Sequence, residues 1–272
     1  MLFIVALPAA GEPQQRIVTL APHLAELVCA VGRCEALVGV AEHSDAALVP
    51  AAAVEVGNAF NVNIEAVLAL RPTLVLAWAG GTPTQLAERL RGLGIHLEMV
   101  QVRRLEEIAD ALRQVGRATA SADGGARAAQ DFLQALRDLQ WQYRSRSRLR
   151  VFYQIETAPT FSVNRDSPIS EALNLCGADN VFAGLPTLAA AVSTEAVLAA
   201  RPQAVVYSRQ DGTDAIAAYW ARLPGLGPAD ARMRLAVDGN TLTRQAPSVL
   251  RGIAEVCEGL DRIRPLVSSA AR

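Results

Sequence analysis

The stretch EAVLALRP at residues 65–72 decides the fold of this chain, because it recurs as EAVLAARP at residues 195–202. Each copy predicts a short amphipathic helix that ends at a proline, and each is followed by an apolar run typical of a buried strand. One recurrence half a chain away does not fit a solenoid, which needs several short periods. The repeat instead predicts two similar α/β lobes, and a cleft between two such lobes is a usual place for a ligand.

Apolar runs and helical patterns alternate on both sides of one long helical stretch. We predict strands at residues 16–20, 37–40, 74–78, 96–100, 149–153, 204–206 and 233–237. Strands that alternate with helices at this spacing predict parallel sheets covered by helices. Between them, residues 123–144 carry a helical pattern without a strand signal. The expected fold is therefore α/β, with Rossmann-like lobes at 14–121 and 149–272 joined by one long helix within 122–148.

Charge and motifs narrow the function classes. The 272 residues have a net charge of −1 and no basic stripe, which argues against nucleic acid or an anionic membrane surface as a partner. The sequence has no Gly-x-Ser-x-Gly elbow, no phosphate-binding loop and no His-Glu-x-x-His pair. We therefore expect a protein that is not an enzyme.

The first residues and the cysteines bear on the compartment. Residues 2–7 are apolar and residues 8–10 are small, as in a secretory signal, although the usual positive charges are missing. We expect residues 1–13 to be a signal remnant or an unstructured N-terminus.

The four cysteines show no zinc-ligand spacing. Two disulfides in an oxidising compartment and four buried free thiols both remain open.

Three side chains of the first lobe follow predicted strands. Trp78 ends one strand just before two glycines, His43 follows another, and His23 stands where the first helix begins. The carboxyl edge of a parallel sheet is where ligands bind, so these residues are candidates for a ligand site. A large aromatic can also cap a core, and a loop histidine is often only solvated.

The second lobe offers polar candidates at the corresponding edge. Phe161 and Asn164 follow the strand that ends near residue 154, whereas Asp238, Asn240 and Arg244 follow the strand that ends at residue 237. Arginine and asparagine side chains can hydrogen-bond the amide or phosphate oxygens of a ligand. Charged loop residues by themselves are usually only solvated.

Several short motifs of this sequence resemble the motifs of one known family. They are LAPHLAEL (20–27), LVGV (37–40) with Ser44-Asp45, AW (77–78) with the glycine pair 80–81, LGI (93–95), RVFYQ (150–154), LCGADNVF (175–182), VSTE (192–195), and Arg244 with Pro247. The chain is similar to the helical-backbone substrate-binding proteins of ABC importers from about residue 16 to residue 263. Within that family it most resembles the cobalamin-binding members.

The resemblance implies a function and a location. It implies a monomeric periplasmic receptor that captures cobalamin or a related corrinoid between two lobes and delivers it to membrane permease subunits. The corrinoid is then the transported ligand and no other cofactor is expected. A receptor for haem or a ferric siderophore with the same fold is the main alternative. A tetrapyrrole-metal enzyme that uses His23 or His43 as a base, or a regulatory or chaperone-like binding module, is a weaker one.

The resemblance also implies roles for particular residues. Trp78 matches a tryptophan that contacts the corrin ring. His43 stands where related proteins have a tyrosine, and it could stack on the ring or act as an axial metal ligand. Asn240, Thr241 and Ala189 replace an aspartate and two tryptophans of a related protein, which bears on the identity of the corrinoid.

Two further expectations come from the same resemblance. Cys176 and Cys257 match a known disulfide position, which leaves Cys29 and Cys34 as the remaining pair. Glu195 matches an acidic residue that docks onto the permease. The matching position of the first lobe holds Thr84, and Glu88, one turn further along, is the candidate there.

Overall fold

The computed structural model describes residues 15–58 and 61–270 of the chain. The signal segment predicted within residues 1–13 lies outside these residues. The chain forms two compact units. The first holds the described residues up to Gln101 together with Gln114–Gly125, and the second holds Val102–Arg113 and the described residues from Ala126 onward. In the part of the chain that the structure describes, no helix is both long and apolar enough to cross a membrane.

The first unit is built on a parallel sheet. Its strands are β1 (Ile17–Thr19), β2 (Leu37–Val40), β3 (Val54–Glu55), β4 (Leu74–Trp78) and β5 (Leu97–Val100). Its helices are α1 (Pro22–Ala30), α2 (Ile64–Ala69) and α3 (Thr84–Gly92), and the chain then continues through α4 (Glu107–Ala118) and α5 (Ala122–Tyr143). The strands pair in the order β3-β2-β1-β4-β5, and every pair is parallel.

This strand order creates a switch point in the first sheet. From β1 the chain moves outward through β2 and β3, and it then returns to the other side of β1 for β4 and β5. The connections after β1 and β4 therefore leave in opposite directions, which opens a crevice at the carboxyl ends of these two strands. Val18, Val75 and Ala77 are fully buried in the core below that edge.

The second unit contains a parallel sheet and a small antiparallel pair. Its strands are β6 (Leu149–Gln154), β7 (Phe161–Val163), β8 (Ala178–Asn180), β9 (Ala189–Ala191), β10 (Ala204–Ser208) and β11 (Arg234–Val237). Its helices are α6 (Pro168–Leu175), α7 (Thr194–Ala200), α8 (Thr213–Ala221), α9 (Gly239–Leu242) and α10 (Val249–Ala270). The parallel order is β11-β10-β6-β8, so the switch point lies between β6 and β10, while β7 and β9 pair antiparallel. The predicted α/β class with parallel sheets is confirmed.

The sequence repeat is also a structural repeat at the start of its helices. In α2 the side chain of Asn63 accepts a hydrogen bond from the Ala66 amide, and in α7 Ser193 accepts one from Ala196. Such caps satisfy an amide that the first helical turn leaves without a partner. Val67 of α2 and Val197 of α7, their equivalent core-facing residues, are fully buried.

The C-terminal ends of α2 and α7 are also held in the same way, each by a hydrogen bond from an arginine side chain. The guanidinium of Arg16, just before β1, donates to the Leu70 carbonyl at 2.8 Å. In the second unit Arg150 of β6 donates to the carbonyl of Ala200. The arginine that follows each helix adopts a left-handed backbone, with φ of 45° at Arg71 and 42° at Arg201. Each unit therefore fastens its repeated helix to its own first strand.

The last helix is longer than its sequence pattern predicts. The sequence pattern predicts a helix over residues 249–260, but α10 runs to Ala270 and has Pro265 inside it. A proline removes one helical hydrogen bond, so a tertiary contact must compensate for that loss. Arg264 is buried and donates to the carbonyls of Ser147 and Gly177, at 2.9 and 3.2 Å. These bonds hold the last turns of α10 against the second unit.

Both disulfides are present in the structure. Cys29 bonds to Cys34 across the turn that ends α1, where Gly32 has a φ of 79°. Cys176, at the end of α6, bonds to Cys257 in α10. All four cysteines are thus bridged, and the alternative of four free thiols is wrong.

Candidate functional site

Two aromatic rings meet at the switch point of the first sheet. Because α1 begins directly after β1, His23 stands at the carboxyl end of the central strand, and Trp78 ends the neighbouring strand β4. Their ring centroids are 5.5 Å apart and their planes are inclined by 84°. His23 is buried, whereas Trp78 is half-buried. An edge-to-face pair of this kind fixes the orientation of both rings.

The loop after β4 is shaped around the Trp78 indole. A Cβ atom added at Gly80 would lie 2.8 Å from the indole Nε1, and one added at Gly81 would overlap the six-membered ring. Thr82 anchors the loop, since its hydroxyl accepts from the Trp78 amide at 3.1 Å and its own amide donates to the Trp78 carbonyl at 2.8 Å. The glycine pair therefore lets the backbone close against the indole, which stands half-buried at the end of β4.

His43 lies at the same edge of the sheet, but it is more exposed than His23 and Trp78. It follows β2, the other neighbour of β1, and its side chain is exposed. Its φ of 63° is left-handed, a conformation that non-glycine residues adopt mainly in tight turns. Among the described residues no group of three or more His, Cys, Asp or Glu side chains is placed to hold a metal ion. His43 is therefore not part of such a group within the described residues.

Phe161 and Asn164 have different surroundings in the second unit. Phe161 begins β7 and is half-buried; its amide donates to the Ile155 carbonyl at 2.9 Å, so the loop between them is closed. Asn164 is buried, its side-chain oxygen accepts from the Asp166 amide at 2.9 Å, and its carbonyl accepts from the Ser170 hydroxyl at 2.7 Å. The amide of Asn164 thus holds its own loop, which positions the segment that follows β7.

Asp238 organises the loop that follows β11. Its carboxylate caps α9 by accepting from the Asn240 amide at 3.1 Å, and it also accepts from Gln210 at 3.0 Å and from the Thr241 hydroxyl at 3.2 Å. Partial burial by itself raises the pKa of Asp238. The hydrogen bonds outweigh burial and hold that pKa below its ordinary value, so the carboxylate is ionised. Gln210, which sequence reasoning missed, ties this loop to the end of β10.

Asn240 and Arg244 lie on the short helix that Asp238 caps. Asn240 is exposed in the first turn of α9, and Arg244 is half-buried just beyond its end. The Arg244 Nε donates to the Asn240 carbonyl at 3.2 Å, which brings the two residues together. No carboxylate of the described residues lies within ion-pair distance of Arg244. This corner of the second unit therefore presents hydrogen-bond donors and a positive charge.

Two carboxylates at the switch point of the second sheet were missed. Glu156 follows β6 and Asp211 follows β10, and these are the two strands that flank the switch point. Burial raises the pKa of Asp211, and the nearby negative charge of Glu156 raises it further. Asking which residues follow each strand, the rule that identified Trp78, would have found both carboxylates from the sequence.

The predicted docking residues lie on helix surfaces. Glu195 is exposed at the second position of α7, where hydrogen bonds from its own backbone amide and from Ser193 lower its pKa. Glu88 is exposed in the middle of α3, and Thr84 is the exposed first residue of that helix. The carboxylate of Glu195 is therefore ionised and accessible.

Comparison with known proteins identifies the family. The chain is 31% identical over 264 residues to a vitamin B12-binding protein from Vibrio parahaemolyticus, covering 97% of this chain and 95% of the relative. It is similar to the crystal structure of BtuF, the periplasmic vitamin B12 binding protein of Vibrio cholerae, with a TM-score of 0.80 and 34% identity over 93% of this chain and 98% of that one.

A second structural neighbour shares the fold alone. It is the periplasmic heme-binding protein BhuT in complex with two hemes, with a TM-score of 0.81 and 23% identity over 92% of this chain and 99% of that one. The family model described as "Periplasmic binding protein" matches residues 17–223, which span the first sheet and reach the end of α8 in the second unit. On this match and on the similarity along the whole chain, the protein belongs to the periplasmic binding protein family.

Proposed function

We propose that this protein is the periplasmic receptor of an ABC importer and that its ligand is cobalamin or a related corrinoid. It binds the ligand, releases it unchanged to the membrane permease, and works as a monomer without a cofactor of its own. The choice of ligand rests on the similarity, along 97% of the chain, to a vitamin B12-binding protein. The heme-binding neighbour, at 23% identity, supports the fold and not the ligand.

The residues at the first switch point suit one part of such a ligand. A corrin ring is large, flat and partly apolar, and the half-buried Trp78 offers an aromatic surface that is already oriented by His23 and by the glycine loop. A surface that needs no reordering on binding loses little conformational entropy. We propose that Trp78 packs against the macrocycle and that His43 lies beside it, where its imidazole can stack or coordinate the metal.

The second unit offers contacts for the polar periphery of the ligand. Corrinoids carry amide side chains, and cobalamin also carries a phosphate. We propose that Asn240 and Arg244 donate hydrogen bonds to these oxygens and that Phe161 adds an apolar contact. The carboxylates of Asp211 and Glu156 could accept hydrogen bonds from amide N–H groups. Asp238 and Asn164 act by holding their loops, since their side chains are engaged within them.

The haem alternative rests on the imidazole of His43. An exposed histidine at the carboxyl edge could serve as an axial ligand for haem iron.

A titration of the purified protein with cyanocobalamin, dicyanocobinamide and haemin distinguishes a corrinoid receptor from a haem receptor. Calorimetry and absorption spectra measure the binding. We expect saturable one-to-one binding of a corrinoid and no saturable binding of haemin. Tight binding of haemin alone would overturn the proposed ligand. A corrinoid spectrum that shifts with wild type but not with His43→Ala would assign His43 as the metal ligand.

Docking to the permease is proposed to use one glutamate from each unit. The internal repeat equates Glu195 of α7 with Glu65 of α2, and both are exposed at the second position of their helices. We therefore propose Glu65 as the partner of Glu195, whereas Glu88 on α3 has no counterpart in the repeat. Reversing the charge at each of these positions separates the two candidates of the first unit, because only a docking residue should slow association with the permease.

A further inference from the structure

The two disulfides differ in their access to solvent. Cys176 and Cys257 are fully buried, whereas Cys29 and Cys34 are each half-buried in the turn between α1 and β2. Exchange between a thiol and a disulfide requires that the attacking thiolate reach one of the two bonded sulfurs. The structure therefore contains one disulfide that an external thiol can reach and one that the fold covers.

The turn between α1 and β2 does not depend on its disulfide alone. Within it, the Gly32 amide donates to the Cys29 carbonyl at 3.0 Å. From the segment between α4 and α5, the Ser121 hydroxyl donates to the Val31 carbonyl at 2.7 Å. The two cysteines are 5 residues apart, so opening their bond frees a short loop and restores little conformational freedom to the unfolded chain. The first unit should therefore stay folded when this bond is opened.

The same two sulfurs contact the loop that carries His43. This loop, residues 41–53, connects β2 to β3. The Leu48 carbonyl oxygen lies 3.0 Å from the Cys34 Sγ and 3.8 Å from the Cys29 Sγ. The Leu48 amide makes a bond within the loop, to the carbonyl three residues earlier, at 2.9 Å. The disulfide therefore supports this loop from outside, at the end of α1.

Reduction would remove that support. Two separate thiols are no longer held together against the Leu48 carbonyl, so each cysteine side chain can rotate to another rotamer. A loop that is ordered before binding loses less conformational entropy on binding than a mobile loop does. A looser loop should therefore weaken any ligand contact that His43 makes.

We propose that Cys29–Cys34 is a site of thiol–disulfide exchange with an external dithiol, and that its reduction loosens the loop of His43 and lowers the affinity for the ligand. The exchange follows from the access of the sulfurs and does not depend on the identity of the ligand. The effect on affinity rests on the proposed function, in which His43 lies beside the bound corrinoid.

The exchange is a two-step reaction. A thiolate of the dithiol attacks one sulfur of the pair, the S–S bond breaks, and a mixed disulfide forms while the other cysteine leaves as a thiolate that takes up a proton. The second thiol of the dithiol then attacks the mixed disulfide and releases the remaining cysteine. The protein gains two electrons and two protons, and the dithiol is oxidised to a disulfide.

A labelling experiment tests the exchange, with the buried pair as the internal control. Native protein is incubated with dithiothreitol, free thiols are alkylated with iodoacetamide, and the labelled peptides are identified by mass spectrometry. We expect label at Cys29 and Cys34, while Cys176 and Cys257 stay bridged until denaturant is added. Reduction of both pairs at the same rate, or of the buried pair first, would overturn the exchange site.

A second experiment tests the loop and the affinity. The alkylated protein is freed of reductant, because thiols can react with the metal of a corrinoid, and is then titrated with cyanocobalamin. We expect Kd to rise about 2- to 10-fold and hydrogen exchange at residues 44–50 to become faster, with residues 64–69 of α2 unchanged. The double variant Cys29→Ala/Cys34→Ala should show both effects before treatment and no further change after it, which excludes an effect of the alkyl groups.

The outcomes separate this inference from the proposed function. If untreated wild type binds no corrinoid, the proposed function fails; selective labelling with faster exchange at residues 44–50 would still support the exchange site and its effect on the loop. If untreated wild type binds a corrinoid, and the treated protein and the double alanine variant bind it equally well with unchanged hydrogen exchange, the inference alone is overturned. Thermal melts verify that each form is folded.

Discussion

At the scale of single residues, Trp78 combines a fixed orientation with partial exposure. Its ring is held by His23 on one edge and by the glycine loop, yet it remains only half-buried. A side chain used only for the core would be covered more completely, as the fully buried Trp220 is. Partial exposure at a strand end is what a ligand contact requires, and it makes the contribution of Trp78 measurable by substitution.

Trp78→Ala should weaken corrinoid binding by about 1–3 kcal/mol, which is roughly a 5- to 150-fold rise in Kd, because a preoriented aromatic contact is lost. Calorimetric titration measures the change. Trp141→Ala is the control, since Trp141 is 68% exposed on α5, where the Arg144 guanidinium lies 4.2 Å from the centroid of its ring. An unchanged affinity for Trp78→Ala would show that its ring serves the protein interior alone.

Gly81→Ala tests whether the glycine loop sets the position of the indole. The new Cβ would overlap the six-membered ring of Trp78, so the ring or the loop must move. We expect Kd for the corrinoid to rise by a factor similar to that of Trp78→Ala, with little change in the melting temperature. Gly92→Ala is matched to it, because a Cβ at Gly92 has no neighbouring atom within 4 Å. Equal affinities of the two variants would contradict this role of the loop.

At the scale of elements, the Asp238 carboxylate holds the corner formed by α9 and the end of β10. Its folded-state pKa is lowered, so its ionisation favours the folded state. That contribution is fully present above the ordinary carboxyl pKa of 3.8 and is lost as the pH falls through the lower folded-state value. Asparagine at this position keeps the helix cap but removes the charge.

Asp238→Asn should therefore destabilise the protein at neutral pH by a margin that narrows in acid. We expect the difference in melting temperature between wild type and variant to be constant from about pH 5 to 7 and to shrink below about pH 4, because wild type loses the stabilising charge there. Thermal melts followed by circular dichroism across this range provide the measurement. A difference that does not depend on pH would mean that the charge of Asp238 does not stabilise the fold.

The two disulfides should differ in their effect on stability. Cys176 and Cys257 are 81 residues apart, whereas Cys29 and Cys34 are 5 apart. On the chain-entropy model the longer loop is worth about 4–5 kcal/mol and the shorter one about 2 kcal/mol. Replacing each pair by alanines and measuring urea unfolding should reveal this order. A larger loss for the Cys29–Cys34 pair would show that local packing outweighs the entropy of the unfolded chain.

The main elements could be predicted from the sequence because their patterns are strong. The strands at 37–40 and 74–78 have the predicted bounds, and α5 differs from its predicted span by one residue at each end. The short strands β3, β7, β8 and β9 were not predicted, since two or three residues carry no periodicity and depend on pairing with distant partners. The end of α10 was missed because contacts of Arg264 override the proline signal.

The candidate site was only partly predictable. The strand-edge rule identified Trp78 and His43, because the end of a buried apolar run is visible in the sequence. It did not show that Asn164 is engaged within its own loop, since its partners Asp166 and Ser170 are fixed only by the folded turn. Nor did it reveal the bond from Gln210 to Asp238, which joins loops 28 residues apart in the chain.

At the scale of the whole molecule, the glutamates of the repeat should govern how fast the receptor meets its permease. Glu195→Arg should slow association with the nanodisc-embedded permease and weaken its dependence on salt, while corrinoid affinity stays unchanged. Glu258→Arg makes the same charge change at an exposed site on α10 and should have a much smaller effect. Association that is equally fast in wild type and Glu195→Arg would place the docking surface elsewhere.

The arginine hydrogen bond at the end of each repeated helix links that helix to the first strand of its unit. Since Arg16 precedes β1 and Arg150 belongs to β6, neither α2 nor α7 can fray at its last turn without breaking a bond to the first strand of its unit. In native-state hydrogen exchange, the amides of each helix should therefore open together with those of that strand as one cooperative segment. A receptor that has lost part of a unit then also loses the helix surface through which it would dock, so partly unfolded molecules would not compete for the permease.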